Sequence, residues 1–244
     1  MKLLSRSNPK LQKCSEFGYL SAGLMLLPYN LSGAQFCSAA TACADICLNL
    51  SGQGGIFKKG AWTNSRIEAR RMRSEYFLHA RKEFIEDLKD EIALHARYSE
   101  RLGLQPVVRL NTLSDLAFER LDPTIFSDFP FIQFYDYTKH SAKYRSNLPQ
   151  NYHLTYSRAE TQENQLEAQN WLNSGRPISV VFDTKKGEQL PTSFLGQKVV
   201  DADIHDLTFE HAKQGLVLGL RAKGKAIADT SGFVVRTEKW SFTK

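Results

Sequence analysis

Apolar and polar positions follow two periods along this chain, and their succession predicts its architecture. Short apolar runs bounded by turn residues read as strands at Gly23 to Pro28, Pro106 to Leu110, Phe131 to Tyr135, Tyr152 to Tyr156 and Ile178 to Phe182. Shorter β-like pieces follow at 198–200, 215–220 and 232–235. Between them, helical spacing predicts two segments from Thr63 to Leu102, where Ile67, Phe77, Leu78, Phe84, Ile85, Leu88, Ile92 and Leu94 form an apolar stripe. Further helices are expected at 115–126, 139–144 and 162–173. Strands separated by helices describe successive βα units, hence a parallel sheet with right-handed crossovers. The expected fold class is α/β, an open or partial (β/α) barrel of TIM-like type, with a doubly wound sheet as the rival. Residues 1–244 read as a single domain in which 191–244, lacking helices, form a β-rich C-terminal appendage, and 1–16 form a polar entry arm.

Composition narrows the class without naming a function. The 244 residues are 42% hydrophobic and 24% charged, enough for a full core. No secretory signal follows Met1, because Arg6, Asn8, Pro9 and Lys10 interrupt the first leucines. The longest apolar stretch falls short of the ~18 residues a membrane helix needs, so a cytoplasmic protein without membrane contact is expected. A net charge of +6 permits a small anionic ligand or nucleic acid as partner. Much of the excess lies in Arg66, Arg70, Arg71, Arg73, Arg81 and Lys82, interleaved with Glu75, Glu83, Glu86 and Asp87, a pattern that a solvated helix face shares.

The chemistry is concentrated in Cys37, Cys43 and Cys47, three of the four cysteines within eleven residues. No Pro or Gly occurs from Ala39 to Leu50, so a helix is expected there, with Cys43 and Cys47 on one face and Cys37 on the preceding turn. Clustered thiols in a reducing cell point to metal or redox chemistry rather than to a disulfide. Zinc usually takes two tight cysteine pairs, whereas a 4Fe-4S cubane accepts wider thiolates from one loop plus a remote fourth ligand. The spacing therefore favours a 4Fe-4S cluster over a structural zinc and over cysteines that merely fill a packing seam. Cys14 and His205 are candidates for the remote ligand. The glycine-rich stretch 51–55 lacks the Lys-Ser/Thr of a phosphate loop and reads as a helix stop.

In a βα barrel the functional groups sit at the C-terminal ends of the strands. Those ends are polar here: Arg109, Asn111, Ser114 and Asp115 after one strand, Tyr137 and Lys139 after the next, and Ser157 and Arg158 after the third. Together they would line a rim pocket for an anionic ligand. Asp201, Asp203 and Asp206 lack the glycine and distal glutamate of a calcium loop and read instead as a turn that pairs with Arg or Lys. No catalytic triad, dinucleotide fingerprint or zinc-protease motif occurs.

The blocks Arg109 to Asp115, Phe134 to Lys139, Asn151 to Ser157, Val180 to Phe182 and Gly219 to Gly224, in this order, resemble the bacteriophage family called gene product 88. The resemblance runs from Asn8 to Val235 and includes Cys37, Cys43 and Cys47 but not Cys14. It implies phage origin, and hence the cytoplasm of an infected host, without implying a reaction. The chain departs from the family pattern at Asp201, Ala202, Asp203 and Thr208, and at Thr112 and Leu113. At fold level the cysteines after a first barrel strand are also similar to radical S-adenosylmethionine enzymes. Those have a shorter cysteine spacing and a Gly-Gly-Glu turn, where this chain has Gly54, Gly55 and Ile56. The sequence thus favours a cluster more than S-adenosylmethionine as cofactor, with a nucleic-acid-binding accessory protein carrying a structural metal as the alternative.

Overall fold

The computed structural model describes residues 1–212 and 214–237, and of Gln53 the backbone alone. The two longest helices form where the stripe predicts them. α2, Ser65–His79, is capped by Asn64, whose side chain accepts from the amides of Arg66 and Ile67. α3, Arg81–Arg101, ends in a Schellman motif: Gly103, at φ 68°, donates to the Glu100 carbonyl and Leu104 to that of Ser99. Its buried face carries Phe84, Ile85, Leu88 and Ile92 as expected, but then His95 and Ser99, while Leu94 is 57% exposed. The stripe turns by one position because a 3.6-residue period places 88, 92, 95 and 99 in line. A third long helix, α6, Gln162–Asn173, has the expected limits and is capped by Thr161.

Among the described residues, ten strands make one mostly parallel sheet. In chain order they are β1 (Leu4–Ser5), β2 (Tyr19–Leu24), β3 (Gln105–Arg109), β4 (Gln133–Thr138), β5 (Tyr152–Ser157), β6 (Ile178–Phe182), β7 (Ser193–Phe194), β8 (Gln197–Asp201), β9 (Val217–Arg221) and β10 (Val234–Val235). The spatial order is β1-β2-β3-β4-β5-β6-β9-β8-β7, with β1 and β7 antiparallel to their neighbours. From β2 to β6 the order advances without the reversal that defines a doubly wound sheet. The edges β1 and β7 do not pair with each other, so the sheet is open.

The stretch after residue 191 is not an appendage. β8 and β9 extend the main sheet, and β10 pairs with β6 at Val181 and Phe182, in the place β5 leaves after Ile178 and Ser179. Short strands with scattered apolar residues look peripheral in sequence; here central β6 supplies their buried partner. Residues 213 and 238–244 of the expected appendage lie outside the described residues. The entry arm is also corrected: β1, a short helix α1 (Pro9–Gln12) and buried Leu3, Leu4, Leu11 and Cys14 attach it to the sheet. Where longer helices were expected, 115–126 contains only two single turns, α4 (Phe118–Leu121) and α5 (Thr124–Ser127), and 139–144 forms turns.

Alternation along the strands separates two faces. One sends Val108, Phe134, Leu154, Tyr156 and Val180 into the main core beneath α3 and α6. The other carries Val107, Tyr135 and Tyr19 with the loop residues Leu207 and Phe209. That inner face is polar further along: Ser21 meets the buried Tyr135 hydroxyl at 2.7 Å, and Arg109 and Tyr137 follow in the same direction.

Candidate functional site

Between β2 and α2 the chain leaves the sheet for forty residues, and this excursion carries the three clustered cysteines. The helix expected over 39–50 does not form; single 3-10 turns occur at Ala42–Ala44 and Leu48–Leu50. Twelve residues are marginal for an isolated helix, and here tertiary partners take the backbone groups a helix would use. Glu160 accepts from the Ala42 amide at 3.0 Å and from the Thr41 hydroxyl at 3.2 Å. Arg70 of α2 donates Nη1 to the Asn49 carbonyl at 2.9 Å and to its side chain at 2.6 Å. Asp115 donates its amide to the Phe36 carbonyl, and Cys37 Sγ lies 3.5 Å from the Leu113 carbonyl. The loop is thereby fastened to the segments that leave the C-terminal ends of β3 and β5. Gly54 and Gly55 belong to this packing: a Cβ there would stand 2.4 and 2.2 Å from the carbonyl oxygens of Asn49 and Leu50.

All three thiols are free and half-buried. Cys43 packs with Ala42 and Ile46 against Ala159, Ala226, Phe233 and Val234. Burial pushes the Cys37 thiol up to about 11, with Asp115, Cys47 and Cys43 adding to the rise. Cys47 is raised too, by burial and then by Cys43, while Arg70 and Lys139 pull it back. The three sulfurs thus share one electrostatic neighbourhood with two cations beside it. Among the described residues, no three His, Cys, Asp or Glu side chains stand close enough to hold a metal ion as they are. Cys14 is elsewhere, packed against Val107, Tyr135 and Leu207 with its thiol directed at the Lys10 carbonyl. His205 lies tilted against Phe17, ring centres 4.5 Å apart, and Phe17 precedes β2, whereas the cysteines follow β2.

The rim residues divide into three groups. Lys139, Ser157 and Arg158 stand with the cysteine loop: Lys139 Nζ donates to Ser157 Oγ at 2.6 Å and lies 5.0 Å from the Phe233 ring. Arg158 donates to the carbonyls of Gly232 and Phe233. Asn111, Ser114 and Asp115 instead brace the chain. Asn111 Oδ1 accepts from Ser114 Oγ and the Leu116 amide, its Nδ2 donates to Asp136 at 3.1 Å, and Asp115 accepts from the Lys139 amide and Arg145.

Behind them lies a buried network that the motif reading missed. Arg145 holds Glu119 through two hydrogen bonds, at 2.5 and 2.9 Å, and donates to the Tyr152 hydroxyl, which donates to Asp136 at 2.8 Å. Burial pushes the Asp136 carboxyl up to about 7, against the pull of Arg109 and its hydrogen bonds. No local periodicity marks Arg145, which follows a turn.

Arg109 and Tyr137 form the third group, on the inner face. Arg109 Nη1 meets Asp206 at 2.7 Å, and Lys10 Nζ meets the other oxygen of Asp206 at 2.8 Å. The Arg109 guanidinium lies 4.8 Å from the centre of the Tyr137 ring. Burial alone would raise the Asp206 carboxyl, but Arg109 and Lys10 hold it below the ordinary range. Lys10 has no signal in sequence beyond the Asn8 and Pro9 that start its helical turn. Asp201 and Asp203 pair with Arg221 and Lys223, as a polar turn would.

Much of the basic helix is already engaged within the chain. Arg71 is paired with Glu68 and Glu75, Arg70 with Asn49, Arg73 with two carbonyls, and Arg81 lies over Phe77. No helix among the described residues is long and apolar enough to cross a membrane. Neither the curated proteins nor the solved structures contain a match to this chain. A family model described as Gene product 88 matches residues 2–237, nearly the whole chain and all five motif blocks, so the chain belongs to the gene product 88 family of phage proteins.

Proposed function

We propose that this chain is an iron–sulfur protein of the infected host's cytoplasm, its 4Fe-4S cluster held by Cys37, Cys43 and Cys47 over an incomplete (β/α) barrel. The observation that carries the reading is the gathering of three free thiols on one loop at the C-terminal strand ends, within electrostatic reach of each other. A cubane suits this loop better than a single zinc, because it accepts wider sulfurs. Arg70 and Lys139, beside Cys47, would offset the negative charge of bound thiolates. When bound, such a cluster supplies an iron not filled by thiolate, able to act as Lewis acid or electron donor. Lys139, Ser157 and Arg158, which stand with the cysteine loop, would orient a small anionic ligand there, while Asn111, Ser114 and Asp115 hold the rim in shape. A β2-to-β6 order without reversal supports the barrel-like curl.

The test is iron, sulfide and zinc analysis with a visible spectrum on protein purified without oxygen. About four irons per chain with broad absorption near ~400 nm is expected, and Cys43→Ser is expected to lose iron and colour together. Full retention of iron by that variant, or one zinc in colourless wild type, overturns the proposal.

A further inference from the structure

A second feature lies along the edge strand β1. An outer cavity of about 430 Å³ is lined by Lys2, Ser5, Arg6, Ser7 and Arg73 among others. An inner one of about 320 Å³ is lined by Ala22, Glu91, Leu94 and His95. Both include Lys2, Leu4 and Arg6 in their walls, so they are two compartments of one groove, in the size range of small-molecule sites.

The outer compartment is cationic, and the hydrogen bonds of Arg73 go to carbonyls, with the Glu91 carboxylate acting on it through charge alone. Arg73 gives Nε to the Lys2 carbonyl and Nη1 to that of Met25. Arg6 lies over the Tyr98 ring at 4.2 Å, and its Nη1 is buried with no hydrogen-bond partner among the described residues. Glu91, the one carboxylate in either wall, spends both oxygens on the amides of Leu3 and Leu4, at 2.6 and 2.8 Å. Guanidinium groups presented in this way suit the oxygens of a phosphate.

The inner compartment has the complementary feature. His95 is 4% exposed, and its Nε2 faces the carbonyls of Leu20 and Val107 at 3.2 and 3.3 Å, so that nitrogen carries the hydrogen. Nδ1 is then an acceptor, and it is buried with no partner among the described residues. Burial pushes the ring's pKa down to about 4, which keeps that lone pair free at neutral pH. Orphaned buried acceptors are rare and call for a donor. Beside it, Leu94 and Ala22 give apolar surface.

We propose that this groove binds a small phosphate ester with a planar, hydrogen-bond-donating body, the nucleoside monophosphates being the class that fits. The phosphate sits between Lys2, Arg6 and Arg73, and an N–H of the body meets His95 Nδ1 while the ring lies along Leu94. None of these residues is one of the three clustered cysteines.

The probe is adenosine 5′-monophosphate, titrated calorimetrically into the full chain with adenosine, inorganic phosphate and a 20-base oligonucleotide as comparisons, while the His95 ring nitrogens are followed by NMR. The nucleotide is expected to bind about tenfold or more tighter than adenosine or phosphate, and to move the His95 Nδ1 resonance. Arg6→Gln and Lys2→Gln are expected each to weaken the nucleotide about tenfold with adenosine unchanged; Lys2, at the chain start, can be replaced without disturbing the core. No binding at millimolar nucleotide, an unmoved His95, or affinity unchanged in both variants overturns the proposal. So does an oligonucleotide that binds far more tightly than the mononucleotide, which would make the groove a nucleic-acid surface.

Discussion

The same strands carry two buried polar clusters on opposite faces, and they are built by different rules. On the helix-covered face Arg145 is surrounded by Glu119, Asp115, Thr138 and Tyr152, and Tyr152 hands the chain of hydrogen bonds on to Asp136 and Asn111. On the inner face two cations, Lys10 and Arg109, share one carboxylate, Asp206, while Arg109 Nε and the Thr208 hydroxyl have no hydrogen-bond partner among the described residues. The first cluster has its capacity filled, as a scaffold needs. The second leaves polar atoms over, Asp206 Oδ1 among them by hydrogen-bond geometry, and Arg109 Nε lies 3.8 Å from Asp136 of the first cluster, which links the two. Hydrogen-bond saturation therefore separates bracing residues from available ones where composition alone does not.

The sharpest test of that contrast is Arg145→Met. It leaves Glu119 buried without its cation, and removal of one member of a buried pair costs about 3–5 kcal/mol. Urea unfolding is expected to show that loss. Asp206→Asn is expected to cost less, about 2 kcal/mol, because Lys10 keeps 22% of its side chain exposed and can turn to water. If Asp206→Asn proves the more damaging of the two, the inner cluster is the scaffold and the assignment reverses.

Sequence patterns reached the elements whose signal is local. Ile178–Phe182 and Gln162–Asn173 have the expected limits, since a continuous apolar run and a Thr161 cap state them without help from elsewhere. The first parallel strand starts earlier than expected, at Tyr19, because its pairing with Gln105 to Arg109 decides its limits. The cysteine loop departs from the helix its alanines predict for a related reason: local propensity is overridden by Arg70 and Glu160, 21 and 118 residues further along the chain than the groups they hold. Of the rim residues, Lys139, Ser157 and Arg158 keep company with the cysteines, and Arg109 and Tyr137 turn to the inner face; strand parity does not make that division, because Thr155 pairs with Tyr137 and Ser157, two residues on, shares its face. Asn111, Ser114 and Asp115 look the same in sequence as ligand-binding residues because polar loop residues that brace and polar loop residues that bind are the same types. Lys10, Arg145 and Glu119 carried no signal at all; their partners are far away in sequence.

Per unit of pH, the smallest expected effect is in the pH dependence of stability, and it distinguishes the faces once more. On the outer face Asp136 keeps its proton up to about pH 7, above the unfolded value of 3.8. The native state then holds more protons than the unfolded chain in that window, so this group makes stability fall as pH rises from about 4 to about 7. His153, on β5, runs the other way: burial, with His211 and Arg176 adding, pushes it down to about 4 from 6.5. Its contribution is present above pH 6.5 and is lost as pH falls toward 4, where the unfolded chain takes up the proton first. His95 behaves as His153 does, and His205 and His211 are lowered in the same direction, so the histidines outweigh Asp136 and the protein is expected to weaken on acidification. His153→Asn should reduce the slope of unfolding free energy between pH 4 and 6.5 by about 1.4 kcal/mol per pH unit, the equivalent of one proton. Asp136→Asn should steepen it instead by up to a similar amount over the window in which the carboxyl keeps its proton. Urea titrations across that range read both slopes, and a His153→Asn slope equal to the wild type's would mean that the imidazole is solvated rather than held neutral behind β5.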